Sequence, residues 1–125
     1  MLNNISVVII VKDGGKTINA TLSALSQFSD VVVYDNGSTD DTIEIANKFH
    51  NVNLVQGDFT GFGPTKNKAT TYAKNDWILI LDSDEVADEN FVNHLKSQHL
   101  DNQSVYMVNM VSYYRDIKIK YSGWN

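Results

Sequence analysis

The fold is decided by the apolar run ISVVIIV at residues 5–11. Its β-branched residues favour a strand, and the lack of polar alternation indicates that both faces of this strand are buried. Three more strand-like runs follow at residues 31–34, 52–56 and 77–81, and a segment with helical spacing separates each from the one before. This β-α-β-α-β-α-β order predicts an α/β fold, in which helices flank a mostly parallel sheet.

The helical segments are recognised by apolar residues that recur every three or four positions. These residues fall into four groups: Ile18, Leu22 and Leu25; Ile43, Ala46 and Phe49; Ala69, Tyr72 and Ala73; Phe91, Val92 and Leu95. Residues 38–41 (STDD) have the form of a capping box that opens the second helix, and Pro64 suits the first turn of the third. Residues 105–114 are strand-like, and residues 117–121 alternate as a half-exposed strand does.

Composition restricts the class of protein. With 125 residues, of which 42% are hydrophobic and 20% charged, the chain is predicted to form one domain, residues 1–125. The net charge of −5, without a basic stripe, argues against nucleic acid as a partner. No apolar run approaches the ~20 residues of a membrane-spanning helix. Because no closing element precedes residues 123–125, we expect the chain to be the N-terminal part of a longer protein.

An acidic cluster follows the strand at residues 77–81. Asp82, Asp84 and Glu85 lie within four positions, and carboxylates about 4 Å apart repel by roughly 4 kcal/mol at an effective dielectric of 20. Asp84 and Glu85 could cap the helix that follows, but this leaves Asp82 unexplained. Asp35 also ends a strand, so parallel pairing would bring it to the same rim, where a hard cation could bind. Lys66, after the GFG loop at residues 61–63, is a candidate cationic partner.

Four motifs in this order resemble the N-terminal half of a family 2 glycosyltransferase. They are SVVIIVKD at residues 6–13, VYDNGSTDDT at 33–42, GFGPTKN at 61–67 and LDSDE at 81–85. The resemblance covers residues 5–95. Within the family, the glycine-Phe-glycine loop and the D-x-D-E form are most similar to bacterial enzymes that add glucose in β linkage to the lipopolysaccharide core.

The resemblance implies the GT-A fold of nucleotide-diphospho-sugar transferases, a nucleotide-sugar donor that usually carries UDP, and a divalent Mn²⁺ or Mg²⁺ ion. The residues that it assigns to substrate or metal are Asp35 at the nucleoside, Val11 in its pocket, Lys66 beside the base or diphosphate, Asp82 at the ribose and metal, Ser83 at the substrate and Asp84 at the metal. Val11 and Asp13 replace a commoner Thr and Asn. The catalytic general base is expected after residue 125.

The implied activity is transfer of a hexose to a saccharide or lipid-linked acceptor during cell-envelope glycan synthesis. A lipid-linked acceptor implies a cytoplasmic protein that works at the inner face of the membrane. We expect the 125-residue chain to bind the donor without transferring sugar. Two alternatives remain open: a metal-dependent nucleotidyltransferase, which would release pyrophosphate from a nucleoside triphosphate, and a non-catalytic α/β binding module that holds a regulatory cation.

Overall fold

The computed structural model describes residues 2–97, which form four strands and four helices in strict alternation. The strands are β1 (Leu2–Val11), β2 (Phe28–Asp35), β3 (Val52–Gln56) and β4 (Trp77–Asp82). The helices are α1 (Ile18–Ser23), α2 (Thr42–Ala46), α3 (Phe62–Thr70) and α4 (Glu89–Ser97). The bounds of β3 match the prediction, and the other strands extend the predicted runs by one to four residues.

All strand pairs are parallel, and the strand order is β3-β2-β1-β4. The chain therefore moves from β1 outward to β3 and then crosses back to place β4 on the other side of β1. In open α/β sheets, ligands bind at the carboxyl ends of the strands where this reversal occurs. The topology thus directs attention to the rim where β1 and β4 end.

The two faces of β1 account for the unbroken apolar run at residues 7–11. Val7, Ile9 and Val11 face a core that α1, α2 and α4 cover, whereas Val8 and Ile10 face a smaller cluster with Ala69 of α3. Val7, Val8 and Ile9 are fully buried, which confirms the prediction from the sequence. Each such side chain stabilises the fold by roughly 1.5–3 kcal/mol relative to an exposed one.

The helices are shorter than the periodicity predicts. Leu25 and Phe49 lie beyond the ends of α1 and α2, yet both pack into the core, so their spacing reflects burial rather than continued helix. Tyr72 lies beyond α3 and is 40% exposed, contrary to the prediction that it shares the buried side with Ala69. The hydroxyls of Thr70 and Thr71 donate to carbonyls three residues back, a contact that competes with continued helix.

The predicted capping box at residues 38–41 is wrong. The N-cap of α2 is Asp41, and its side chain makes no capping hydrogen bond. Ser38 instead donates its hydroxyl to the Asp35 carboxylate. The Ser38 side chain therefore stabilises the end of β2 and does not cap α2.

The strand-like residues 105–114 and 117–121 lie outside the described part of the chain. None of the helices in residues 2–97 combines the length and the apolar character that crossing a bilayer requires.

Candidate functional site

A cavity of about 660 Å³ opens at the rim where β1 and β4 end. It lies at the reversal of strand order, the position that the topology favours for a ligand. Its lining residues come from four places. The end of β1 contributes Ile10, Val11 and Lys12, and the residue after β2 is Asn36. The loop before α3 and α3 itself contribute Phe59, Phe62, Gly63 and Lys66, and β4 with the turn after it contributes Ile80, Leu81, Asp82, Ser83 and Asp84.

The acidic turn after β4 presents two carboxylates to this cavity. Asp82 and Asp84 are exposed, whereas Glu85 is buried and serves a different purpose. The Glu85 carboxylate accepts the backbone N–H of Asp82 at 2.8 Å, and the Glu85 N–H donates to the Asp82 carbonyl at 3.1 Å. Because α4 begins only at Glu89, Asp84 and Glu85 lie outside its first turn, so the capping alternative is wrong.

Asp35 lies on the same rim, as parallel pairing predicts, but in a different setting. It pairs with Val11, and Asp82 pairs with Ile10 on the other side of β1, which places the two aspartates two strand spacings, about 10 Å, apart. Asp35 is 1% exposed and lines a neighbouring cavity of about 350 Å³. Its carboxylate accepts the backbone N–H groups of Gly37 and Ser38 at 3.2 and 3.0 Å. Asn36 lines both cavities and connects them.

A set of hydrogen bonds joins the loop after β1 to the loop after β2. The Asp13 carboxylate accepts the Thr39 N–H at 2.7 Å, and the Asp13 N–H donates to the Ser38 hydroxyl at 2.7 Å. A third bond runs from the Gly15 N–H to the Asp40 carboxylate at 2.9 Å. Since Lys12 and Val11 precede Asp13 directly, these bonds also fix the β1 side of the cavity.

Asp40 is the second anchor between these loops. Hydrogen bonds from the hydroxyl and the backbone N–H of Thr42 hold the pKa of its carboxyl below the ordinary value, and the Gly15 N–H adds to the effect. Donated hydrogen bonds stabilise the ionised form, so the Asp40 carboxylate stays ionised to a lower pH than a solvated aspartate does. The loop junction is therefore maintained at neutral pH.

The cavity is also lined by Lys12, Phe59 and Phe62, which were not assigned to the site from the sequence. Lys12 is a second lysine of the cavity lining, in addition to Lys66. Phe59 and Phe62 form an edge-to-face pair with ring centroids 5.7 Å apart, and they are 49% and 77% exposed. The sequence signal for this pair is two phenylalanines that flank Gly61 in a loop expected at the carboxyl ends of the strands. An exposed Phe contributes little to folding, so its presence there indicates a contact with a ligand.

The chemistry of the donor set suits a hard divalent cation that shares its coordination with a ligand. Within residues 2–97, no group of three or more His, Cys, Asp or Glu side chains is arranged to hold a metal ion. Two carboxylates, Asp82 and Asp84, nevertheless reach one cavity. Mg²⁺ is usually bound by one or two carboxylates together with phosphate oxygens and water, so a protein cage of three ligands is not required.

Five of the six residues assigned from the sequence line one cavity: Val11, Lys66, Asp82, Ser83 and Asp84. Asp35 reaches the same rim but opens onto the adjoining cavity. The arrangement combines two carboxylates, two ammonium groups and two exposed aromatic rings. It can hold an elongated anionic ligand with an apolar or aromatic part, provided that a cation offsets the carboxylates.

Comparison with known proteins identifies related sequences. The sequence profile of Glycosyl transferase family 2 matches residues 6–125. An uncharacterized glycosyltransferase of Rickettsia prowazekii is 29% identical over 119 residues, which make up 91% of this chain and 40% of that protein. The glycosyltransferase GlyG of Streptococcus pneumoniae is 31% identical over 103 residues, 75% of this chain and 34% of that protein. The chain thus spans at most about 40% of the length of these relatives.

Solved structures show the same fold. TarS from S. aureus superposes with a TM-score of 0.67 at 26% identity, covering 75% of this chain and 31% of that one. Glucosyl-3-phosphoglycerate synthase from Mycobacterium tuberculosis, crystallised with Mn²⁺, UDP and glucosyl-3-phosphoglycerate, superposes with a TM-score of 0.62 at 24% identity, covering 72% and 37%. These likenesses confirm the GT-A fold expected from the sequence.

Proposed function

Because the chain belongs to glycosyl transferase family 2, we propose that it binds a UDP-hexose donor in the cavity at the carboxyl ends of β1 and β4 and supports transfer of the hexose to an acceptor hydroxyl. The observation that carries this proposal is the pair of exposed carboxylates, Asp82 and Asp84, in a cavity of about 660 Å³ that also contains two lysines. An acidic site attracts an anionic donor only when cations neutralise it. The diphosphate of such a donor would face the acidic turn.

The residues around the cavity divide the work of binding. Asp84, with Asp82, would hold a Mn²⁺ or Mg²⁺ ion, and Asp82 would also contact the ribose. A divalent ion supplies Lewis-acid stabilisation of the nucleoside diphosphate as it departs. Val11 and Ser83 lie on either side of the space between β1 and β4 and would contact the nucleoside. Asp35 lines the adjoining cavity, which Asn36 connects to the main one, so its contact with the base would come from that side.

The two lysines supply positive charge that needs no bound ion. Lys12 follows β1, and Lys66 lies in the first half of α3, so ammonium groups come from two walls of the cavity. Fixed charges aimed at a leaving group lower the barrier more than mobile ones, because they need no reorganisation during the reaction. We assign Lys12 and Lys66 to stabilisation of the diphosphate.

The acceptor that we propose is a saccharide or lipid-linked glycan of the cell envelope, of the lipopolysaccharide-core type. Support for this finer assignment comes from the glycine-Phe-glycine loop and the D-x-D-E form in the sequence. A lipid-linked acceptor would place the protein at the cytoplasmic face of the membrane. The Rickettsia prowazekii relative is more than twice as long as this chain. The acceptor and the general base are therefore proposed for the whole protein.

Calorimetry with UDP, in the presence and absence of Mn²⁺, tests the proposal. We expect Mn²⁺ to strengthen UDP binding to the wild-type chain, and Asp84→Ala to remove that gain while circular dichroism shows an unchanged fold. Asp76→Ala is the matched control, because Asp76 is an exposed aspartate just before β4, at the opposite end of that strand from the rim, and it lines neither of the two rim cavities. Equal Mn²⁺-dependent affinity in the wild type and Asp84→Ala would refute the assignment.

Product analysis separates the alternatives. Binding of a nucleoside triphosphate with release of pyrophosphate would identify a nucleotidyltransferase. Binding of Mn²⁺ without any nucleotide would identify a non-catalytic module.

A further inference from the structure

The backbone carbonyl of Ser83, midway between Asp82 and Asp84, accepts hydrogen bonds from two threonine hydroxyls. Thr17 donates its Oγ1 hydroxyl at 3.0 Å, and Thr21 donates at 2.9 Å. A carbonyl oxygen has two lone pairs, so two donors occupy its full capacity. The residue between the two carboxylates is therefore held by a helix that is distant in sequence.

The two threonines are placed for this contact by α1. Thr17 is the N-cap residue of α1, and Thr21 follows four positions later on the same face. Thr21 is completely buried, and Thr17 is partly buried. Burying a hydroxyl without a hydrogen bond is costly, so the bond to Ser83 both satisfies Thr21 and fixes the turn.

The rest of the turn is fixed from the other side. The Glu85 carboxylate accepts the backbone N–H of Asp82 and the Glu85 N–H donates to the Asp82 carbonyl, so two hydrogen bonds close the turn that contains Ser83 and Asp84. Gly14 lies near the Ser83 side chain, because a Cβ at that position would be in ordinary contact with the Ser83 Oγ at 3.5 Å, although its closest contact would be the Val11 Cγ2 at 2.6 Å. The backbone of the acidic turn is thus hydrogen-bonded to α1 and to the Glu85 carboxylate, while Asp82 and Asp84 remain exposed at the cavity.

We propose that Thr17 and Thr21 are positioning residues that set the direction of the Asp82 and Asp84 carboxylates through the Ser83 carbonyl. The inference rests on the proposed function, because its consequence is measured as binding of Mn²⁺ and UDP. Neither threonine lines the cavity, so neither touches the ligand. Residues that orient metal ligands from outside the coordination shell typically change metal affinity by about 10- to 100-fold when they are lost.

The decisive variants are Thr21→Val, which removes the hydroxyl at nearly constant volume, and Thr21→Ser, which keeps it. Ser6→Ala is the control, since Ser6 is a buried hydroxyl near the opposite end of the sheet, where it bonds to Asp30. Calorimetry measures UDP affinity with and without Mn²⁺, and electron paramagnetic resonance measures Mn²⁺ binding itself. A third readout, amide exchange at Glu85, needs neither ion nor nucleotide.

In Thr21→Val we expect Mn²⁺-dependent UDP affinity to fall by about 10-fold or more, with a much smaller change in metal-free UDP affinity. Thr21→Ser should restore most of the loss. Ser6→Ala should lower thermal stability but leave the effect of Mn²⁺ on UDP affinity unchanged. The Glu85 amide should exchange faster in Thr21→Val than in Thr21→Ser, because the turn has lost one of its anchors.

The inference is overturned if Thr21→Val changes Mn²⁺-dependent affinity no more than Ser6→Ala does. If Thr21→Val does not fold, Thr17→Val takes its place, since Thr17 is only partly buried. If the wild-type chain binds no UDP, the proposed function fails, and the exchange rate at Glu85 decides the inference alone. Equal exchange in the wild type and the valine variants would then reject it.

Discussion

The Asp13 carboxylate accepts the backbone N–H of Thr39 at 2.7 Å and so joins the loops that follow β1 and β2. Asp13 achieves this with φ at 55°, in the left-handed region that Asp and Asn tolerate better than other non-glycine residues. The sequence departs from the family pattern at this position, where Asn is commoner. Both side chains offer the oxygen that the Thr39 N–H needs.

Replacing Asp13 tests this loop junction. Asp13→Ala should lower the free energy of unfolding by about 1–2 kcal/mol, because Ala lacks the acceptor and is strained at positive φ. Asp13→Asn should stay close to the wild type. Chemical denaturation measures both, and a stability of Asp13→Ala equal to that of Asp13→Asn would contradict the role assigned to the carboxylate.

Two glycines near the rim should respond in opposite directions to alanine. A Cβ at Gly57 would lie 2.2 Å from the hydroxyl oxygen of Tyr34 and 2.7 Å from its Cζ, and that ring is fully buried. Gly57→Ala should therefore destabilise the protein by about 1–3 kcal/mol. Gly63, inside α3, has nothing within 4 Å of its Cβ position, so Gly63→Ala should stabilise the protein by about 0.5–1 kcal/mol.

Thermal melts of these two alanine variants give the comparison directly. If Gly57→Ala does not lower the midpoint, the crowding at Tyr34 is not what requires glycine at position 57, and if Gly63→Ala lowers it, the open space at position 63 is contradicted.

Phe62 should matter for ligand binding rather than for folding. Its side chain is 77% exposed, so Phe62→Ala should change the free energy of unfolding by no more than about 0.5 kcal/mol. If the donor covers the ring, UDP affinity should fall several-fold, since an aromatic contact contributes about 0.5–1.5 kcal/mol. Tyr72→Ala is the control, because Tyr72 is 40% exposed but does not line the cavity. Equal affinities for UDP in the two variants would place the ligand elsewhere.

The lowered pKa of Asp40 predicts a pH dependence of stability. A carboxyl whose pKa is lower in the folded state than the ordinary 3.8 binds fewer protons when folded than when unfolded. Its contribution is therefore complete above pH 3.8 and is lost as the pH falls through the lowered value. Asp40→Asn should flatten this acid limb of the stability curve. Urea titrations at a series of acidic pH values measure it, and an unchanged limb in Asp40→Asn would assign the acid sensitivity to other carboxyls.

The sheet could be predicted from sequence because its signal is strong. Residues 5–11 are apolar on both faces, which only a sheet covered on two sides can bury. Helix ends were predicted less well, because short polar side chains have several possible partners. Ser38 is an example. Its spacing to Asp41 fits a capping box, but its hydroxyl donates a hydrogen bond to the Asp35 carboxylate at the end of β2.

The acidic turn was located from the sequence, but its supports were not. Asp82 and Asp84 are recognisable because charge follows an apolar strand. Thr17 and Thr21 give no such signal, since threonine in a helix is ordinary and the contact to Ser83 spans 66 and 62 residues. The rim position of Asp35 was predictable from parallel pairing, whereas its opening onto a neighbouring cavity depends on how the loop at residues 36–38 turns.

The pairing of β4 with β1 has a consequence for folding kinetics. Ile10 pairs with Asp82 at the ligand-binding rim, so the rim closes only after the first and last described strands have met, at the cost of a long loop. The chain should therefore gain the ability to bind the nucleotide in the final phase of folding, and not when the first local contacts form. A ligand bound across that seam would slow unfolding of the entire sheet instead of merely damping motion in one loop.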